Sequence, residues 1–163
     1  MDTTHSFSAL SDGQLVEMAS VIGREIDHRW KKNQENTVQF CNSTDVFAYY
    51  HYKLWSKKQE RLIALLLDQK HVLIEERIVT VGTVNASLIH AREVFSPAIE
   101  KRASGIILIH NHPTGHAAPS REDLIMMARL KKVGKLLELP LIDHVIVGKY
   151  QFYSDVLKEV IYV

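Results

Sequence analysis

The densest run of chemistry-bearing side chains in the chain is His110-Asn-His112-Pro-Thr-Gly-His-Ala-Ala-Pro-Ser120-Arg-Glu-Asp123. It follows the apolar stretch Gly105-Ile-Ile-Leu-Ile109. At the end of a strand, alternate side chains share a face. His110 and His112 can then offer two imidazole nitrogens to one ion at about 2.0–2.1 Å, the usual zinc–nitrogen distance. Two histidines and a carboxylate leave a fourth zinc position open for water, the arrangement of a catalytic site. Spacing alone leaves Glu122 and Asp123 both open as the third ligand. The same residues also suit a plain helix start, with Ser120 as the cap and Asp123 favoured by the positive N-terminus. Five of the nine histidines lie elsewhere, with no metal-binding partner at useful spacing.

Positioning such a group requires a buried strand, a loop and a following helix. Gly105 to Ile109 supplies the strand, Pro113 to Pro119 a loop rich in turn formers, and Ser120 to about Leu137 the helix. The strand leaves a covered sheet at His110, where α/β folds form ligand crevices. Upstream, Leu15, Met18, Ala19, Ile22, Ile26 and Trp30 recur three or four apart, predicting an amphipathic helix over 11–30. Lys31 to Thr37 reads as a loop. Ser43-Thr44-Asp45 opens a second helix with Val46, Phe47, Tyr50 and Leu54 on one side. The run Arg61 to Leu67 has the character of a strand covered on both faces, and Val72 to Val81 returns beside it as a hairpin. A helix is expected over Ala91 to Arg102, kinked or restarted at Pro97. Leu139 to Val147 is a further strand. The tail should form a short strand near Tyr150 to Tyr153 and a last helical turn. Strands alternating with helices predict an α/β sandwich around a mixed sheet.

The chain has 163 residues, 46% apolar and 24% charged, which suits one globular domain with a full core. Its longest apolar run, Leu62 to Leu67, is far short of the ~20 residues of a membrane helix. The opening residues lack the pattern of a secretory signal. A single cysteine, Cys41, fits a cytoplasmic location and rules out zinc sites built from several cysteines. Lys and Arg total 20 against 19 Asp and Glu, so the basic excess of a dedicated nucleic-acid binder is missing.

His-x-His and then, after seven intervening residues, Ser-x-x-Asp resembles the pattern of the JAMM (MPN-plus) metallopeptidases. More narrowly, HNHPTGHAAPSREDL and PLIDHVIVG resemble the bacterial RadC family, and GTVNASLIHA and REVFSPAIEKRASGIILIHNHP fit it too. The resemblance spans about residues 43–163. It implies a three-layer-like sandwich of helices around a mixed sheet, JAB/MPN-like and related to the cytidine deaminase architecture. It also implies one Zn2+ held by His110, His112 and Asp123, with Ser120 donating a hydrogen bond near the bound water or the developing oxyanion. A glutamate is expected just before the first core strand. The residues alone leave Glu75, Glu76, Glu93 and Glu100 open, and the family pattern selects Glu60. His116 reads as a solvated loop residue or a substrate contact. Asp143 and His144 either support the site from behind or close a buried hydrogen bond.

Residues 1–42 would then be an N-terminal extension, with Leu10-Ser-Asp12, Leu15-Val16 and Ile22-Gly-Arg-Glu-Ile26 resembling a helix-hairpin-helix region without its Gly-rich hairpin. That gap counts against an inherited role on DNA. The implied activity is zinc-dependent hydrolysis of a peptide or isopeptide bond in an unidentified protein or peptide, with Glu60 as general base. The alternatives are a DNA-repair-associated protein that binds or acts on DNA, and a catalytically silent scaffold. A zinc deaminase would need a Cys-x-x-Cys pair, which the chain does not have. No membrane partner is implied, and self-association remains open.

Overall fold

A computed structural model describes residues 10–32, 37–82 and 89–163. The chain divides into two compact units, Met1–Asn36 and Thr37–Val163. In the first, helix α1 spans Asp12–Lys32. Gln14 Oε1 accepts from the Ser11 amide at 2.9 Å and from its hydroxyl at 3.1 Å, satisfying groups that a helix start leaves open. The helix runs unbroken through Gly23 to Lys32, so Lys31 and Lys32 are helical rather than part of a loop. The side chain of Trp30 and the expected loop at 33–36 lie outside the described residues.

The second unit is built on a six-stranded sheet in the order β2-β1-β3-β4-β5-β6. The strands are β1 (Arg61–Leu67), β2 (Leu73–Val81), β3 (Gly105–Asn111), β4 (Leu141–Val147), β5 (Gln151–Ser154) and β6 (Glu159–Tyr162). Only β3 and β4 pair in parallel, through the crossover helix α4 (Arg121–Leu136), so the sheet is mixed.

Strand parity sorts the core into two layers. Leu62, Ala64 and Leu66 of β1 and Ile106 and Leu108 of β3 pack with Val94, Phe95 and Ala98 of α3 (Ala91–Glu100) and Met126, Met127 and Leu130 of α4. Ile63, Leu65 and Leu67 face the other way. With Ile107, Ile109, Val145 and Val147 they meet Val46, Phe47, Tyr50 and Leu54 of α2 (Ser43–Leu54). Burial on both faces is why β1 and β3 read as unbroken apolar runs. The result is a helix–sheet–helix sandwich.

Two expectations are corrected. Helix α3 runs on through Pro97 rather than restarting there, and ends at Glu100. Proline there forfeits one hydrogen bond, to the Glu93 carbonyl, near the end of a short helix. The tail forms strand β6 instead of a helical turn. Lys158 adopts a left-handed φ of 59° and its amide donates to the Ser154 carbonyl at 2.8 Å, turning Glu159–Tyr162 back onto β5.

Candidate metal centre

Strand β3 carries His110 between two neighbours, opposite Leu62 of β1 and Ile146 of β4, so the ring is fully buried. His112 lies just past the strand end, where its amide donates to the Val147 carbonyl at 3.1 Å. The third donor comes from the head of α4. Ser120 caps the helix and Asp123 reaches back to it, a reciprocal capping box. Asp123 Oδ2 accepts from the Ser120 amide at 2.8 Å and from its hydroxyl at 2.6 Å, and the Asp123 amide donates to Ser120 Oγ at 3.1 Å. The helix start and the metal-ligand arrangement are therefore one structure. Capping pins the carboxylate that faces the imidazoles.

The donor atoms converge. His110 Nε2 and His112 Nε2 are 3.0 Å apart, and each stands 3.4 Å from an oxygen of Asp123. Two ligands bound tetrahedrally at about 2.0–2.1 Å lie about 3.3–3.4 Å from each other. The separations are thus close to those a small tetrahedral ion requires, and the group could hold a metal ion. Proton positions agree. His112 Nδ1 lies 2.8 Å from the His116 carbonyl, which can only accept, so Nδ1 carries the proton and the neutral ring turns its Nε2 lone pair inward. His110 Nδ1 lies 2.8 Å from His144 Nε2, and one proton serves that pair. With that proton on His110 Nδ1, both Nε2 lone pairs face each other beside a carboxylate, the arrangement a cation would bind.

The ionisation of these groups decides the pH dependence of binding. Burial, aided by His144, drives the His110 pKa well below its ordinary value despite the attraction of Asp123. Burial also pulls His112 down, but the Asp123 hydrogen bond, the His116 carbonyl and the charges of Asp123 and Glu60 outweigh it and raise the pKa. For Asp123, burial is overcome by the His112 hydrogen bond, the His110 charge and the Ser120 bonds, which hold it well below the usual carboxylate range. Metal ligands must be deprotonated. His110 and Asp123 already are near neutrality, so His112 alone has a proton to lose. We expect calorimetric titration with Zn2+ to release about one proton per ion from His112 near pH 6, with affinity falling as pH drops below neutrality and that ring takes up its proton. Release of about two protons near pH 6 would contradict this assignment.

The surrounding residues separate readings that the sequence left open. His144 supports His110 directly, and burial pulls its pKa down to about 4, so it is a neutral hydrogen-bond partner. Asp143 instead closes a buried polar knot. Its carboxylate accepts from Ser43 Oγ at 2.7 Å, Ser154 Oγ at 2.9 Å, and the amides of His144 and Val156 at 2.7 and 3.0 Å. His116 contributes its main-chain carbonyl while the residue is exposed. A Cβ on Gly148 would stand 2.5 Å from the Gly115 carbonyl, so that glycine lets the histidine loop close against the β4–β5 turn. Glu122 is exposed, whereas Asp123 is buried against the histidines.

Glu60 immediately precedes β1, and the β1–β3 register, continued by two residues from Leu62↔His110, sets it opposite His112. Its charge acts on the His112 ring. The other glutamates are placed differently. Glu75 pairs with Lys101 and Arg77, Glu76 accepts from the Tyr50 hydroxyl, Glu93 pairs with Arg92, and Glu100 ends α3 in the exposed set.

The sequence profile of the family described as RadC-like JAB domain matches residues 40–159. The chain belongs to that family. Among curated relatives, a UPF0758 protein of Geobacter sulfurreducens is 42% identical over 148 residues, covering 91% of this chain and 62% of the relative. A UPF0758 protein of Staphylococcus aureus is 40% identical over 124 residues, covering 76% and 57%. One from Methanosarcina acetivorans is 37% identical over 121 residues, covering 74% and 53%. This RadC-like JAB chain thus spans between half and two thirds of the length of these relatives. Among its described residues, no helix is long and apolar enough to cross a membrane.

Proposed function

We propose that this RadC-like JAB domain hydrolyses an amide bond, in a peptide or isopeptide, with Zn2+ held by His110, His112 and Asp123. The observation that carries the reading is the convergence of two imidazole nitrogens and one carboxylate within 3.0–3.4 Å, three protein donors where a catalytic zinc site keeps a fourth place open. Bound there, the ion would supply a Lewis acid that lowers the pKa of a water towards about 7 and polarises the substrate carbonyl. Glu60 takes a proton from the attacking water and delivers it to the departing amine nitrogen. Ser120 has a single hydroxyl proton, held by Asp123 Oδ2. With the carboxylate facing a cation, that proton is drawn to the oxygen on which negative charge develops. The His116 carbonyl holds His112 in the required tautomer, and His144 does the same for His110 when its Nε2 accepts from His110 Nδ1.

The test is metal analysis of purified protein together with a cleavage screen on peptide, isopeptide-linked and DNA substrates. About one equivalent of zinc, with cleavage of an amide substrate that stops on chelation and returns with Zn2+, is the expected result. Protein that takes up no divalent metal, or that cuts only DNA, would overturn it.

A further inference from the structure

Alternation along β3 points the residue between the two histidines away from them. Asn111 is fully buried on the α2 side of the sheet. Its side chain forms three hydrogen bonds, all to the backbone of one segment. Oδ1 accepts from the Arg61 amide at 3.0 Å, and Nδ2 donates to the Lys57 and Gln59 carbonyls, each at 3.3 Å. The amide orientation is forced, because two carbonyls need a donor and one N–H needs an acceptor. These partners lie on both sides of Glu60, which precedes β1 and whose carbonyl accepts from the Gly82 amide at 2.9 Å.

We infer that Asn111 is a positioning residue that fixes Glu60 in register with the metal ligands. The inference rests on the proposed hydrolase reading. One strand end would then set both halves of the site, with His110 and His112 offered on one face and the segment carrying the base clamped from the other. Proton transfer requires the base within about 3 Å of its target, and a 1 Å misplacement costs about 10²-fold. Since Asn111 touches neither imidazole, its loss should affect turnover and leave the ion in place.

The experiment compares wild type with Asn111→Ala, Asn111→Ser, Glu60→Gln and the Asn111→Ala/Glu60→Gln double variant. The readouts are zinc affinity, amide hydrogen exchange at 57–61, kcat and KM. Asn111→Ala should bind zinc within about threefold of wild type, exchange faster at 57–61, and lose about 10²-fold in kcat with KM unchanged. Asn111→Ser keeps a donor and an acceptor and should fall between, which guards against a fold defect in the alanine variant. In the Glu60→Gln background Asn111→Ala should cost nothing further. The inference is overturned if zinc affinity falls in step with kcat, if exchange at 57–61 is unchanged, or if the two losses multiply. Wild-type turnover by Glu60→Gln would instead defeat the general-base reading itself, a result that no multiplicative loss can imitate.

Discussion

Asp123→Ala is expected to leave the protein folded but without its metal ion and without activity. Asp123 is the only anionic member of the converging group, 3.4 Å from each imidazole nitrogen. Without it, a cation would face two neutral rings. The loss of affinity should exceed the about 10–100-fold typical of removing an outer hydrogen-bond partner. The cost in stability is smaller. The capping box loses one of its two halves, about 1 kcal/mol, and the helix N-terminus loses an acid worth about 0.3–1 kcal/mol. Asp123→Asn separates the effects, since an amide oxygen can still accept from Ser120 but carries no charge. Thermal unfolding close to wild type in Asp123→Asn and a few degrees lower in Asp123→Ala, with zinc affinity sharply reduced in both variants, is the expected pattern. Stoichiometric zinc at unchanged affinity in Asp123→Ala would remove Asp123 from the site.

The contrast between Asp123 and His144 shows what kind of information the chain displays on its surface as a sequence. His110, His112 and Asp123 are legible because strand alternation and a helix cap place side chains by local rules, and one loop joins both. His144 meets His110 across 34 positions. That contact depends on β4 lying beside β3 with a specific parallel register, which local rules do not set. Strand parity alone could have placed His144 on the site face, because Val145 and Val147 pack on the other one. The His116 carbonyl is less accessible still, since a main-chain group has no letter in the sequence. Glu60 sits between these cases. The apolar run marks where β1 begins, but nothing local distinguishes its acid from Glu75 or Glu76 until the antiparallel register brings it opposite His112. The buried strands were readable for the same reason as the triad, because continuous apolar runs record burial on both faces. The last strand was not. Glu159–Tyr162 is four residues long and partly exposed, and only the turn at Lys158 and pairing with β5 make it a strand.

Glu60→Gln should keep the metal and lose turnover. Glutamine has the size and hydrogen-bonding reach of glutamate but no basic oxygen, so the attacking water keeps its proton and the leaving amine receives none. A positioned general base contributes about 10²–10⁴-fold, and kcat should fall by that order with KM little changed. Zinc affinity at neutral pH should stay near wild type, because the converging donors are His110, His112 and Asp123. The effect of Glu60 on the site is instead felt in the His112 proton, which its charge helps to hold. That charge attracts a dication at least as strongly as a proton, so Glu60→Gln should weaken zinc binding slightly, far less than Asp123→Ala. Raising the zinc concentration distinguishes the two defects. Occupancy lost through weak affinity is recovered by mass action, so Asp123→Ala should regain some activity, whereas Glu60→Gln is already loaded and should regain none. A Glu60→Gln protein that cleaves at the wild-type rate would move the proton-transfer role to another group and leave Glu60 as an electrostatic neighbour of His112.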